Sequence, residues 1–407
     1  MCALHRRLVW LAPMLATMLV QAMLAVNVFA LPVVAPQAAA EIGIDSSWVG
    51  LYSATVFGVA IFSSLAAGAA VRRWGAVRTG QLCLVLGALA AQLAASGALP
   101  LLVLAAVALG LAFGPETPAA SHLLATVTTA RNRPLVFSAK QIGSQLGGIG
   151  AGLVFPWLLI LVFRWQAILI ATGVLSLLVA ALLEPLHRTY DTDRDPGARL
   201  QVASFRHTLS LVASTDGLRG LAIAGFGFSA LQQCLNTFLV VHLVRNLEQP
   251  LAVAGVALAV AQVAGIVARI GTGVLADRLC STRVLLVALG LGMTLAALGL
   301  AVAEVDWSRA ALFAVCALFG LSATGWQGIF LAEVARLAPE NRAADATGGI
   351  LAAAYGGLVF GPLTFGLMVG AGVDYELGYS VMAMLSLLGT CALAVAVTAR
   401  VSSNAPR

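Results

Sequence analysis

Long, uninterrupted apolar stretches are the feature of this sequence that most constrains its fold. Only 10% of the residues are charged and 60% are hydrophobic, whereas soluble domains carry about 25% charged residues. Twelve stretches are long enough to cross a membrane as helices, and they cover residues 9–34, 48–71, 79–98, 100–125, 134–162, 165–183, 220–244, 251–276, 284–303, 308–332, 346–371 and 376–399. The chain is therefore predicted to be a polytopic membrane protein.

The first apolar stretch has two interpretations. A basic start, residues 1–7, is followed by apolar sequence to about Val34, and residues 38–40 are alanines that resemble the cleavage region of a secretory signal. The apolar core of a signal spans roughly 7 to 15 residues, and this stretch is of membrane-spanning length. We therefore expect an uncleaved first helix.

One long polar segment, residues 184–219, divides the spans six plus six. It holds alternating acids and arginine at 191–195 and then a mixed segment, 204–216, that could lie on the membrane as an amphipathic helix. The predicted domains are an N-terminal six-helix bundle over 1–183, a cytoplasmic linker over 184–219 and a C-terminal six-helix bundle over 220–407.

The basic residues indicate which side of the membrane each loop faces. Membrane insertion retains Lys and Arg on the cytoplasmic side. If the N-terminus is inside, 18 of the 23 basic residues are cytoplasmic, three are outside, and two, Lys140 and Arg269, lie within spans. Both termini are therefore predicted to be cytoplasmic, in the plasma or inner membrane of the cell. These residues separate apolar spans and form no basic cluster interleaved with aromatics, so no nucleic-acid partner is expected despite the net charge of +6.

The sequence carries no pattern typical of an enzyme or a metal site. Its six cysteines lie in apolar runs or at span ends, without Cys-x-x-Cys spacing or a histidine at metal-ligand spacing. No nucleophile elbow, zinc-protease motif or phosphate-binding loop is present. We expect no disulfide, no metal, no cofactor and no enzymatic activity.

The two halves of the chain contain related segments. Three residues after the second span recur after the eighth at a constant offset of 205, and these are Gly68, Arg73 and Arg78 with Gly273, Arg278 and Arg283. Glycines 147 and 148 of the fifth span recur as 356 and 357 of the eleventh, at an offset of 209. Internal repetition is typical of transporters built from two related bundles. The predicted fold class is an all-α membrane protein with twelve transmembrane helices in two pseudo-symmetric six-helix bundles.

The repeated segment resembles a signature of the major facilitator superfamily, G-x-L-A-D-R-x-G-R-R. Residues 273–283 match it with Cys280 in place of the usual glycine, whereas the first copy has Arg72 where the family has Asp. The resemblance covers the whole chain and implies a transporter that works by alternating access. In the family, the acid of the signature holds helix ends together as a gating latch on the cytoplasmic face.

Two interpretations of the signature residues remain open. Since Arg72 replaces the acid of the first copy, the second copy is the better candidate for the latch. The expected gating residues are Asp277, Arg278, Gly273, Arg73, Gly75 and Arg78. The alternative is that the arginines only enforce topology, although topology alone needs no acid.

Three charged residues lie deep in the spans, where burial in lipid costs at least ~2.5 kcal/mol and charges therefore line cavities. Glu116 lies between two prolines of the fourth span, Lys140 in the fifth and Arg269 in the eighth. Two cations against one acid favour an anionic ligand. We expect Arg269 to hold a carboxylate, Lys140 to offer a movable charge and Glu116 to exchange a proton. The alternatives are a static ion pair, a Lys140 that snorkels towards the membrane surface, a structural Arg269, or proton exchange at His122 or His242.

Uncharged polar residues extend the predicted cavity. Gln232 and Asn236 share one helix face, as do Gln141 and Gln145, because each pair is four residues apart. The predicted substrate-binding residues are Arg269, Lys140, Gln141, Gln145, Gln232, Asn236, Gln21, Asn27 and Trp326. Any one of the polar side chains could instead form an interhelical hydrogen bond without a ligand.

Together these features predict proton-coupled uptake of a small organic anion. Efflux of an amphipathic compound is the first alternative, although the glycines of the fifth and eleventh spans resemble the family's antiporter motif only loosely. A membrane receptor of the same fold that transports nothing is the second. The expected partners are a small-molecule substrate, protons as the coupling ion and the lipid bilayer, and the protein is expected to act as a monomer.

Overall fold

The structure is a computed structural model, and it describes residues 10–128, 133–162, 164–192, 194–195, 197, 212–214, 216–278, 281–337 and 343–403. Every regular element within these residues is an α-helix. Eleven helical spans are long and apolar enough to cross a membrane, and a twelfth, Trp48–Trp74, bends by 60° between Ser64 and Ala66. The predicted all-α membrane fold is confirmed.

The N-terminal half contains eight of the helices that the structure describes. They are α1 (Leu11–Ile42), α2 (Trp48–Trp74), α3 (Ala76–Ala95), α4 (Leu99–Val127), α5 (Arg133–Gln141), α6 (Gly143–Val162), α7 (Trp165–Leu182) and α8 (Glu184–Tyr190). The C-terminal half continues with α9 (Asp216–Arg245), α10 (Leu251–Arg278), α11 (Thr282–Ala301), α12 (Arg309–Leu337), α13 (Ala343–Gly370) and α14 (Tyr375–Ser403). The short helix α8 belongs to the predicted linker, and the predicted interfacial segment 204–216 lies almost entirely outside the described residues.

The chain divides into two compact units. The first contains Met1–Ser46 and Thr55–Ala203, and the second contains Ser47–Ala54 and Ser204–Arg407. The boundary between the units, at residues 203 and 204, thus falls inside the predicted linker. A short segment at the start of α2 belongs to the second unit.

The same helix-packing pattern occurs inside each unit. In the first, α1 packs on α6, and α3 packs on α4 and α7. In the second, α9 packs on α13, and α11 packs on α12 and α14. Since the order of partners is the same, each unit is a bundle of the same design, and the predicted pseudo-symmetry is confirmed.

Glycines allow the closest of these helix contacts. A Cβ at Gly147 of α6 would overlap the carbonyl oxygen of Ala22 in α1, and a Cβ at Gly357 of α13 would overlap the carbonyl oxygen of Phe226 in α9. Small residues that let backbones approach are the usual means of helix association in lipid, where the hydrophobic effect offers no driving force. The repeated glycines therefore hold equivalent helix pairs together.

Most span ends lie within a few residues of the sequence prediction, but the first and fifth spans differ from it in structure. The first span is longer than 9–34, because α1 continues through Pro32 and Pro36 to Ile42 and ends at Gly43, whose φ of 78° is left-handed. The fifth span is not one helix over 134–162 but two, which meet at Ile142. The Ile142 amide donates to the carbonyl of Ala139, three residues back, at 3.1 Å. This tighter turn interrupts the α-helical ladder directly after Lys140 and Gln141.

Candidate functional site

The two charged residues within the spans of the first unit lie against each other. Lys140 Nζ is 2.7 Å from Glu116 Oε1, and their side chains are only 4% and 5% exposed. The Thr117 hydroxyl donates a hydrogen bond to the other carboxylate oxygen of Glu116, at 2.8 Å. Packing of the fourth and fifth spans thus forms a buried ion pair, in which each charge compensates the other in a medium of low dielectric constant.

Local sequence explains why Lys140 tolerates burial. Pro115 and Pro118 of α4 have no amide hydrogen, so carbonyls one turn earlier lose their helical partners beside Glu116. Lys140 lies in the last turn of α5, next to the break at Ile142. Cations are favoured at a helix C-terminus because the unpaired carbonyls there carry partial negative charge. The helix break therefore provides an electrostatic environment that favours the ammonium.

Predicted polar residues lie next to Lys140 along the same span. Gln21 of α1 donates to Gln141 Oε1 at 2.8 Å. On the following helix, the Ser144 hydroxyl donates to Gln145 Oε1 at 3.0 Å, and Gln145 is buried. The structure therefore brings Gln21 and Gln141 together and places Gln145 one turn away. Lys140, Gln141 and Gln145 thus occupy neighbouring turns of the fifth span.

Asn27 has a different environment. Its amide donates to Ser176 Oγ of α7 at 3.0 Å and to the carbonyl of Met23 at 2.9 Å, and both Asn27 and Ser176 are buried. This is the interhelical hydrogen bond that was the alternative to a ligand contact. We therefore do not include Asn27 in the site proposed below.

A polar cluster lies inside the second unit. Arg269 Nη2 of α10 donates to Gln327 Oε1 of α12 at 2.6 Å, and Gln327 Nε2 donates to Gln232 Oε1 of α9 at 3.4 Å. Gln262 Nε2 donates to Asn236 Oδ1 at 3.2 Å. Three helices thus bring the predicted residues Arg269, Gln232 and Asn236 into one group, and the Arg269 side chain is partly exposed. Gln262 and Gln327 are the members of this group that were not among the predicted binding residues.

Trp326 belongs to the packed aromatic core of the second unit. Its indole Nε1 donates to the carbonyl of Ala323 at 3.0 Å, and the residue is only 2% exposed. Its ring meets Phe228 and Phe330 edge to face, with centroids 5.6 and 4.9 Å apart. The donor of Trp326 is satisfied by its own helix, so we also leave this residue out of the proposed site.

Asp191 of the linker caps the N-terminus of α3, which follows the first signature copy. Its carboxylate oxygens accept hydrogen bonds from the Val77 and Arg78 amides at 2.9 and 2.8 Å, and His187 Nδ1 lies 2.7 Å away. Gly75 precedes this helix with φ of 96°, and a Cβ there would overlap the Asp191 carboxyl group. The linker thus supplies a carboxylate close to the segment where Arg72 replaces the acid of the signature.

Arg78, the last residue of the first copy, contacts the residue that directly follows the sixth span. Arg78 Nη1 is 3.1 Å from Glu184 Oε2, and Gln81 donates to the same oxygen at 3.1 Å. Arg73 is exposed. Sequence reasoning missed Glu184 and Asp191 as partners because both lie more than a hundred residues along the chain from the residues they contact. The position of Glu184 directly after a span end was the available signal.

The second copy is only partly described. Gly273, Asp277 and Arg278 lie at the end of α10, where their side chains fall outside the described residues, so the gating prediction for them stays a prediction. Arg283 lies at the start of α11 and pairs with Glu333 at 2.5 Å, and Arg336 contacts the same oxygen at 2.6 Å. Sequence reasoning also missed Glu333, although its spacing from Arg336 at the end of the tenth span was visible.

Glu333 stays ionised well below neutral pH. Burial alone would raise the pKa of its carboxyl group, but hydrogen bonds from Arg336 and Arg283 outweigh burial and lower the pKa. The pKa of Glu333 in the folded protein lies below that of Glu in the unfolded chain, which is about 4.3. The stability that ionised Glu333 contributes is therefore fully present above the unfolded-state pKa. It is lost as the pH falls through the lowered pKa.

The two histidines that could compete with Glu116 for the proton have unlike surroundings. His122 is exposed on α4. His242 is buried near the end of α9, with Nε2 3.2 Å from the carbonyl oxygen of Leu300. Its ring stacks on Tyr375 and meets Tyr379 edge to face. Since Nε2 faces an acceptor, it carries the ring proton in the neutral form.

Comparison with known proteins supports one family and one fold. The model of the family described as Major Facilitator Superfamily matches residues 17–362. No curated protein matches the chain in sequence.

Solved structures of transporters are similar over nearly the whole chain. A mutant of the nucleoside transporter NupG has a TM-score of 0.76 at 14% identity, and the match covers 94% of this chain and 99% of that one. A bacterial homologue of the human lysosomal transporter Spinster, in an inward-facing and occupied conformation, has a TM-score of 0.69 at 15% identity and covers 95% and 96%. At these identities the likeness shows the fold alone.

Proposed function

Since the chain belongs to the major facilitator superfamily, we propose that it is a secondary active transporter that takes up a small organic anion together with protons by alternating access. The observation that carries this proposal is the buried contact of 2.7 Å between Glu116 and Lys140. A titratable acid held against a cation inside a span links the protonation of one group to the availability of the other.

The ion pair supplies a coupling mechanism. When Glu116 binds a proton, its negative charge disappears and Lys140 is released to attract an anion. Proton and anion then bind with positive coupling, and linkage makes the coupling reciprocal, so a bound anion also favours the proton. Gln141, which directly follows Lys140 in the chain and hydrogen-bonds to Gln21, supplies further amide groups in the same segment.

Arg269 is proposed to hold the anion on the second unit. The three fixed charges within the spans sum to +1, which favours a negative ligand. A guanidinium grips a carboxylate with two parallel hydrogen bonds, whereas an ammonium acts as a point charge. The amides of Gln327 and Gln232 orient the guanidinium and add donors for further oxygens of the ligand.

A neutral, hydrogen-bonding solute is the second candidate substrate. The observation that favours it is the group of four amides in the second unit, Gln232, Asn236, Gln262 and Gln327, which has both donors and acceptors. The similar structure of NupG is that of a nucleoside transporter, and a nucleoside is a solute of this kind. The direction of transport and the location in a cell membrane with cytoplasmic termini are likewise parts of the proposal.

Transport into proteoliposomes tests the proposal. A panel of labelled carboxylates, nucleosides and amphipathic cations is offered with and without an imposed pH gradient. We expect a carboxylate to accumulate with the gradient. In Glu116→Gln, gradient-driven accumulation should be lost while exchange of internal for external substrate persists, because exchange needs no net proton movement.

The proposed role of Arg269 in holding the anion is tested with the same transported carboxylate. Arg269→Lys should raise the KM about tenfold, because an ammonium cannot form the two parallel hydrogen bonds that a guanidinium forms with a carboxylate. A tenfold change corresponds to about 1.4 kcal/mol of binding free energy. Arg309→Lys is the matched control, since Arg309 is exposed at the start of α12. Accumulation of a nucleoside in place of a carboxylate would favour the second candidate. Gradient-driven export of an amphipathic cation, or full accumulation by Glu116→Gln, would contradict proton-coupled anion uptake.

A further inference from the structure

A small cavity lies against Glu116 inside the first unit. Its volume is about 20 Å³, and it is lined by residues of α1, α3 and α4 together with Leu183. Much of the wall consists of small residues, Ala76, Gly80, Ala119 and Ala120. The space therefore exists because side chains are short where three helices meet.

The cavity has the size and the polar groups for one water molecule. A single water needs about 10 to 15 Å³ and at least two polar partners. Glu116 and Thr17 are the two residues of its lining that carry polar side-chain groups. The Thr17 hydroxyl lies 2.9 Å from the carbonyl of Pro13 and 3.0 Å from that of Met14, so its hydrogen is engaged within α1. The hydroxyl oxygen remains able to accept a hydrogen bond from water.

The other end of the cavity lies at helix ends on the predicted cytoplasmic side. Ala76 and Val77 are the first residues of α3, and Leu183 directly follows α7. The Val77 amide is bonded to Asp191, which with His187 lines an open surface groove. The cavity thus extends from the buried carboxyl group towards a capped helix end near solvent.

We propose that Glu116 exchanges its proton with the cytoplasm through one water held in this cavity, inside the N-terminal bundle. The inference rests on the proposed role of Glu116 as the proton site. The carboxyl group gives its proton to the water oxygen, and the water passes another proton to solvent when the capped end of α3 opens. Only O–H bonds break and form, and no co-reactant is needed.

Other titratable and charged groups surround this route and define its electrostatics. They are Lys140 and Cys83 beside Glu116, and Asp191, His187, Arg78 and Glu184 at the helix ends. Lys140 opposes the presence of an extra proton near the pair. Protons therefore reach Glu116 more readily from the cavity side, which Thr17 and small apolar residues line, than from the side that faces the ammonium.

Two glycine variants form a matched pair for the test. A Cβ at Gly80 would meet only the Val20 side chain, at an ordinary contact distance of 3.8 Å, so Gly80→Ala adds a methyl group to the cavity wall without a clash. A Cβ at Gly150 would meet nothing within 4 Å, so Gly150→Ala makes the same chemical change in a spanning helix away from the cavity. Gly80→Ser also fills the cavity, but its hydroxyl can take the place of the displaced water.

The measurement is the rate at which deuterium from D₂O replaces the proton of the Glu116 carboxyl group. Infrared spectra of the full-length protein in lipid report this rate through the band of the protonated carboxyl group. The band is assigned to Glu116 by its loss in Glu116→Gln. Gly80→Ala should slow exchange about tenfold or more, since a barrier higher by 1.4 kcal/mol has that effect. Gly80→Ser should restore most of the rate, and Gly150→Ala should match the wild type.

The outcomes separate this inference from the proposed function. Equal exchange rates in Gly80→Ala and Gly150→Ala would overturn the cavity route while leaving Glu116 as the proton site. Failure of Gly80→Ser to exchange faster than Gly80→Ala would overturn it as well, because a hydroxyl should replace the water. If Glu116→Gln removes no carboxyl band at any pH tested, Glu116 takes up no proton, and the proposed function itself fails.

Discussion

Single residues act in this protein mainly through the partner that burial assigns to them. Glu116 and Lys140 are both almost fully buried, and each compensates the other at 2.7 Å. Removing one partner of such a pair leaves an uncompensated charge in a medium that solvates it poorly, whereas removing both leaves none. The pair is therefore a stability element in the resting state as well as the proposed coupling device.

This view predicts a non-additive pair of substitutions. Lys140→Met alone should lower the free energy of unfolding by about 3 kcal/mol, within the range measured for broken buried ion pairs. Adding Glu116→Gln should recover most of that loss. Thermal unfolding of the purified protein in detergent measures both effects. Equal destabilisation by the single and double variants would mean that the two charges are not coupled in the folded protein.

Helix ends show how one element compensates for a change in another. The first signature copy has Arg72 in place of an acid, yet the neighbouring α3 terminus is capped by Asp191 through two backbone amides. The Asp195 amide also donates to the Arg72 carbonyl at 2.7 Å. The linker is thus fastened to the N-terminal bundle at two adjacent points. Helix N-termini favour such carboxylates because their first amides have no partner within the helix.

Loss of the cap should be measurable. Asp191→Ala should cost about 1 to 2 kcal/mol of stability, the usual range for removing an N-cap. Asp191→Asn should cost less, because one oxygen acceptor remains. Asp195→Ala is the matched control in the same segment, since its exposed carboxylate accepts only the nearby Gly197 amide among the bonds that the structure describes. Equal melting temperatures for Asp191→Ala and Asp195→Ala would show that the cap contributes nothing.

At the scale of the whole molecule, the predicted topology gives each loop a side. The 18-to-3 distribution of basic residues predicts that the linker is cytoplasmic and that the start of α12 lies outside. Thr189 and Ser308 are exposed representatives of these two regions. They allow the topology to be tested without disturbing the packed bundles.

Labelling of single cysteines checks this topology. In a cysteine-free background, Ser308→Cys should react with a membrane-impermeant maleimide in intact cells. Thr189→Cys should react only after the membrane is permeabilised, because the reagent cannot cross lipid. Reaction of Thr189→Cys from outside would overturn the six-plus-six arrangement.

Local pattern determined the membrane class, the spans, the repeat and the three charges within the spans, because about 20 consecutive apolar residues are needed to cross lipid whatever the rest of the chain does. Tertiary structure decided which polar groups meet. Arg269 and Gln327 are in contact although they are 58 residues apart in the sequence, and Asp191 and the Val77 amide are in contact although they are 114 residues apart. Such partners depend on the rotation and packing of whole helices, which no local pattern contains. The contacts of Glu184 and Asp191 with α3, and that of Glu333 with Arg283, therefore emerged only when the helices were assembled.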